Sequence, residues 1–198
     1  MRTSVVWGIV ILTFVLLAGI GYGSLAFMMR KSEGMGAIPP ETVADYVHAI
    51  IEANRTVYAT EIVDKLQEKG IAEAAEHWRR ENALPLPAQF LIETGRLVAE
   101  KGNGVKYRLA SLTPIYVWNA PATDFERKGL EAIAKDPSKP YTGFVHIGRE
   151  RYFQAIYPDI AVAQACAACH NAHPNSPRRD FKLNDVMGGV VITIPMGQ

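Results

Sequence analysis

The chain has 198 residues, 48% hydrophobic and 21% charged, which is the composition of a folded domain rather than of a disordered or collagen-like chain. Its 21 basic and 20 acidic side chains leave a net charge of +1, and all of them except Arg2 lie after Met29. The remainder is formally neutral, which excludes a global basic field for nucleic acid, and two cysteines are too few for a disulfide framework.

Val5 to Met29 carries no charge over 25 positions. A helix of that length spans roughly 37 Å, enough to cross a hydrocarbon core of about 30 Å. Residues 1–31 are therefore expected to be a membrane anchor, with a cleaved signal peptide as the rival because Ser24-Leu25-Ala26 offers small residues near the end. Gly19 and Gly23 share a helix face, a spacing that permits close helix approach and leaves a homodimer open, although glycine is common in membrane helices. Residues 32–40, with two glycines and two prolines, read as a linker to a domain over 41–198.

Glu41 to Lys69 is expected to be a helix, opened by Pro39-Pro40 and closed by Gly70. Its buried stripe is expected along Val43, Val47, Ile50, Asn54, Val57 and Glu61, with Ile51, Tyr58 and Ile62 beside it. A second helix is expected over Ile71–Glu81. Leu84-Pro85-Leu86-Pro87 cannot be helical, and a third helix follows over Ala88–Lys101. The period then changes. Val105–Ser111 and Ile115–Trp118 read as strands, and Asp124–Lys135 as a helix. Tyr141–Ile147 and Arg151–Tyr157 form a hairpin around Gly148-Arg149-Glu150, and Val186–Pro195 is a last strand. Helices precede strands, so the fold class is α+β with a mainly antiparallel sheet.

Cys166-Ala167-Ala168-Cys169-His170 is C-x-x-C-H, the attachment signature of a c-type haem. Two thiols three residues apart can each form a thioether to a haem vinyl, and the adjacent histidine becomes the proximal iron ligand. One covalent haem c on Cys166 and Cys169 is thus the expected cofactor, with His170 on the iron. The rival readings are a zinc site of Cys166, Cys169, His170 and His173, which is sterically cramped, and a C-x-x-C redox pair, which lacks a β-α-β setting. Covalent haem attachment takes place outside the bacterial inner membrane. This orients the chain with its N-terminus in the cytoplasm, a single pass through the membrane and the domain in the periplasm.

Several segments carry a family resemblance. They are Leu84-Pro85-Leu86-Pro87-Ala88, Tyr107-Arg108-Leu109-Ala110-Ser111, Asn119-Ala120-Pro121, the run from Cys166 through His173-Pro174-Asn175-Ser176-Pro177, and Asp180-Phe181-Lys182-Leu183-Asn184-Asp185-Val186. Over about residues 41 to 197 the chain resembles the periplasmic haem c proteins with a PAS-like fold, which occur alone and as sensor domains of chemoreceptors and histidine kinases. The resemblance implies a PAS-like antiparallel sheet with flanking helices and His170 as proximal iron ligand. Some members use an N-terminal cysteine as sixth ligand, which this chain cannot do because both its cysteines are in the motif. Asn184 stands where the family pattern has glycine.

The sixth ligand is left open among water or an empty position, His48, His77, His146 and Met187; His173 is expected to order the attachment loop. Arg149, Arg151 and Tyr152 are candidates to pair with the haem propionates, against a plain reading as hairpin surface groups. No distal acid–base pair is evident in the sequence, so an enzyme is not expected. The expected function is redox or small-ligand sensing through a membrane or redox partner. The alternative is an electron-transfer haem subunit of a membrane complex.

Overall fold

The computed structural model describes residues 38–197. The apolar segment 5–29, its Gly19–Gly23 spacing and most of the linker lie outside these residues. No helix among the described residues is long and apolar enough to cross a membrane.

Helix α1 covers Pro40–Val57 and continues into a π-helical stretch, Tyr58–Asp64, and a last α turn, Lys65–Glu68. The chain then forms β1 (Ala74–Ala75), α2 (Trp78–Glu81), β2 (Leu84–Pro85) and α3 (Pro87–Glu100). After β3 (Lys106–Ala110) come a 3-10 turn at Val117–Asn119 and α4 (Asp124–Lys135). The hairpin β4 (Tyr141–Ile147) and β5 (Glu150–Ile160) leads to α5 (Gln164–Ala172), and β6 (Val186–Pro195) closes the fold. The main sheet has the order β3-β6-β5-β4 with every pairing antiparallel, as an α+β reading requires.

Both faces of the sheet are buried. Side chains alternate along a strand, so Phe153, Ala155 and Tyr157 of β5 and Val190, Ile192 and Ile194 of β6 share one face with Ala44 and Ile51 of α1 and Leu91 of α3. Ile156 and Val191 point to the other face and pack on Leu130 and Ile133 of α4. Helix α4 lies close because position 129 is glycine. A Cβ there would collide with Ile156 Cδ1 and sit 2.8 Å from Tyr141 Cδ1. Its N-terminus is capped by Thr123, whose Oγ1 accepts from the Glu126 N–H at 3.1 Å. The hairpin turn is the two residues Gly148-Arg149, with Gly148 left-handed at φ 64°.

Three sequence expectations are corrected. The segment 71–81 is not one helix. Gly70 is left-handed, Ala74–Ala75 pairs in parallel with Leu84–Pro85, and only Trp78–Glu81 is helical. The proline-rich segment is extended, and its pairing outweighs the helical pattern of its neighbour. Ile115–Trp118 is not a strand. Arg108 Nη2 donates to the Trp118 and Ala120 carbonyls at 2.9 Å each, and the chain folds into the 3-10 turn. The buried face of α1 is also shifted: Ala44, Ile51, Arg55, Tyr58, Ala59 and Val63 are buried, while Ile50 and Val57 are more than half exposed. Asn184 does take the conformation that favours glycine, with φ 70°.

Candidate functional site

Helix α5 carries both cysteines and His170, and two ties fix it. The Asn184 N–H donates to the Ala161 carbonyl and the Ala161 N–H to the Asp185 carbonyl, each at 3.0 Å. Asn171 at the other end donates through Nδ2 to the Phe181 carbonyl at 2.8 Å and accepts the Phe181 N–H at 2.9 Å. Ala161, Ala167, Phe181 and Met187 pack beneath the helix, with Cys166 against them. Residues i, i+3 and i+4 lie on one helix face, so Cys166, Cys169 and His170 present together.

Both thiols are free and partly buried. Burial pushes each above the usual thiol range, so both are neutral near pH 7. His170 Nδ1 lies 3.1 Å from the Cys166 carbonyl. A carbonyl oxygen only accepts, so Nδ1 carries the proton and Nε2 keeps a free lone pair. Burial also lowers the basicity of this imidazole, which keeps it neutral.

The motif opens onto a cavity of about 230 Å³. Its walls include Leu109, Ala110 and Ser111 at the end of β3, Met187 and Gly188 at the start of β6, and the loop through Tyr116. Helix α1 contributes Arg55, Ala59, Val63 and Gln67, four residues apart each time. An α-helix of 3.6 residues per turn would let such a row drift round its axis; the wider π turns keep it facing the cavity. Arg55 and Asp159 form a buried ion pair in the same wall. Arg55 Nη1 donates to Asp159 Oδ1 and, at 3.4 Å, to the Ile160 carbonyl; Arg55 Nε has no partner among the described residues. Burial raises the Asp159 carboxyl above the ordinary range, with Arg55 pulling against it. A bulge at Asp159/Ile160 turns the end of β5 at this point.

At the other end of the cavity His173 ties the loops together. Its Nδ1 accepts the Asn175 N–H at 3.1 Å, so Nε2 carries the proton and donates to Glu76 Oε2 at 3.2 Å. The neighbouring Tyr116 hydroxyl and His173 hold the Glu76 carboxyl below its usual range. This is the ordering role expected of His173. It also removes that residue from a zinc site, and among the described residues no three His, Cys, Asp or Glu side chains converge to hold a metal ion.

Of the sixth-ligand candidates, only Met187 lines the cavity. His48 is stacked on Tyr157 with ring centroids 3.9 Å apart. His77 precedes α2 beside a separate surface pocket, and His146 is exposed on the edge strand β4. Arg149, Arg151 and Tyr152 are not brought to the cysteines either. They occupy the hairpin end of β5, where Arg151 lies over Phe144 and the Tyr152 hydroxyl donates to Glu150. Eight strand residues from Arg151 to Asp159 span roughly 26 Å. Sequence reasoning missed Arg55, Asp159, Glu76 and Tyr116. The one signal was Arg55 itself, a charge set between Ile51 and Tyr58.

Comparison with known proteins agrees with this architecture. The crystal structure of the cyanobacterial heme-protein Tll0287 matches with a TM-score of 0.52 at 18% identity, over 82% of this chain and 99% of that one. At that identity the match concerns the fold. A search of the curated proteins finds no match. The family model described as Tll0287-like; Tll0287 matches residues 39–195, nearly all of the described domain, and the chain therefore belongs to the Tll0287-like family.

Proposed function

We propose that this chain is a single-haem c-type protein of PAS-like fold, anchored in the bacterial inner membrane by residues 5–29 with its domain in the periplasm. It senses redox state or a small ligand and passes the signal to a partner. The observation that carries the proposal is the His170 Nδ1–H donated to the Cys166 carbonyl, which leaves Nε2 free beside two neutral thiols on one helix face. A relative of the same fold is described as a heme-protein.

The residues present fit such a group. Cys166 and Cys169 would hold it by thioethers, and His170 would be its axial base. Haem, when bound, supplies one-electron redox chemistry and axial coordination. The chain's own part is to orient and to exclude water. The Cys166 carbonyl fixes the His170 tautomer, and Phe181 packs its ring edge against that imidazole with centroids 5.8 Å apart. Met187 and Ala167 keep the base of α5 dry. Glu76 and His173 tie two chain segments together beside the cavity.

The second reading, an electron-transfer subunit, rests on Met187, the one sixth-ligand candidate that lines the cavity, whose thioether would then hold the group together with His170. Mass spectrometry of the full chain should show one covalent haem, lost on Cys166→Ser or Cys169→Ser. Tightly bound zinc without haem would overturn the proposal. A prompt Soret shift when the reduced protein meets carbon monoxide supports sensing. A low-spin spectrum unmoved by the gas, in both oxidation states, favours electron transfer.

A further inference from the structure

We infer that Arg55 makes the cavity a binding site for a small anion, with Asp159 as the positioning residue that holds the guanidinium. The inference rests on the haem c reading above, because it concerns the cavity onto which the attachment motif opens. Arg55 is only 8% exposed and lines the cavity together with Cys166 and His170. Its Nη1 is taken by Asp159 and the Ile160 carbonyl, and its Nε–H is buried with no acceptor among the described residues. A buried ion pair is seldom retained for stability alone. An acceptor that enters the cavity would meet the guanidinium in its wall.

The chemistry of the acceptor follows from position. Thioethers at Cys166 and Cys169 would put the vinyl edge of a haem at α5, and the propionates lie on the opposite edge of the macrocycle. Arg55 lines the cavity together with Cys166, at the vinyl edge. An acceptor for the guanidinium there is therefore a separate small species. Aliphatic Ala59 and Val63 form the same wall. An anion fits best, since a charge-assisted bond to guanidinium is about twice as strong as a neutral one.

The test uses the full-length haem-loaded ferric protein, with azide as the anionic probe and carbon monoxide on the reduced protein as the neutral one. Haem content is first fixed by mass for wild type, Arg55→Gln and Arg55→Lys. Azide should shift the wild-type Soret band. Arg55→Gln should weaken azide binding by roughly ten- to hundredfold and leave carbon monoxide binding within about twofold. Arg55→Lys should restore part of the azide affinity. Equal weakening for both probes means general damage to the cavity and overturns the inference, as does azide binding indifferent to Arg55. Attached haem that answers to neither probe overturns it while leaving the haem c reading in place. A wild-type chain with no haem overturns both.

Discussion

Two stretches of strand β5 lie in different kinds of surroundings. Around Ile156, under α4, the contacts are apolar and closed: Leu130, Ile133, Ile156 and Val191 are each at most 2% exposed, and Gly129 leaves no room for a methyl group. At the α5 end the same strand bulges and delivers Asp159 to a buried arginine, beside partly exposed thiols and an unpartnered Nε–H. The first region is apolar apart from Gln154, whose Oε1 has no partner among the described residues. The second gathers a buried ion pair, an unpartnered Nε–H and two free thiols around one cavity, and such a concentration of polar groups in a buried place is where a ligand is to be sought.

Three experiments would break or sharpen this contrast. The largest effect is expected at the ion pair. Asp159→Ala leaves a buried guanidinium without its counter-charge and should cost about 3–5 kcal/mol in urea unfolding, whereas the double change Arg55→Met with Asp159→Leu should recover most of it. A double variant as unstable as the single one would mean that the pair itself holds this end together. Next comes Ile156→Ala in the closed region, expected to cost about 2–5 kcal/mol through lost burial and a cavity. The spectral response to azide and carbon monoxide should not change, and a changed response would show that the two regions are coupled. The smallest effect concerns acid. Glu76 has its folded-state pKa lowered by the neighbouring Tyr116 hydroxyl and by His173, so its tie is present above the ordinary glutamate range and is lost as pH falls through the lowered value. Comparing unfolding midpoints of wild type and Glu76→Gln across pH should show a modest wild-type advantage at neutrality that fades below about pH 4.

The closed region was the legible one. Strand alternation and the Gly148 turn gave β4 and β6 their limits in the sequence, and the run Asp124–Lys135 matches α4 end to end. C-x-x-C-H marks α5 for a local reason: three side chains on one turn need no knowledge of the rest of the fold. The cavity wall was harder to see. Arg55 and Asp159 are 104 residues apart, and nothing local in one sequence pairs them. The face of α1 was misread because its more apolar row, through Ile50 and Val57, is not the buried one: Ala44, Ile51 and Arg55 turn inward instead, still at α-helical spacing. Arg149, Arg151 and Tyr152 were attractive by residue type, but an 11-residue strand carries them away from the motif.

The change of winding has a consequence for how the chain tolerates alteration. Helix α1 behaves as a shaft keyed at two points. One key is Asp45, His48 and Arg55, held by Tyr157 and Asp159 of β5; the other is Val63 with Gln67 along the cavity, beyond the π turns. The intervening turns set the angle between the keys. Removing one residue there would turn one half against the other by about 100° and leave one key without its lock. Composition in this stretch can therefore vary more freely than length: Thr60 and Glu61 are only partly buried or exposed and open to exchange, while the number of residues between Arg55 and Val63 is fixed by the two seats that the shaft must fill at once.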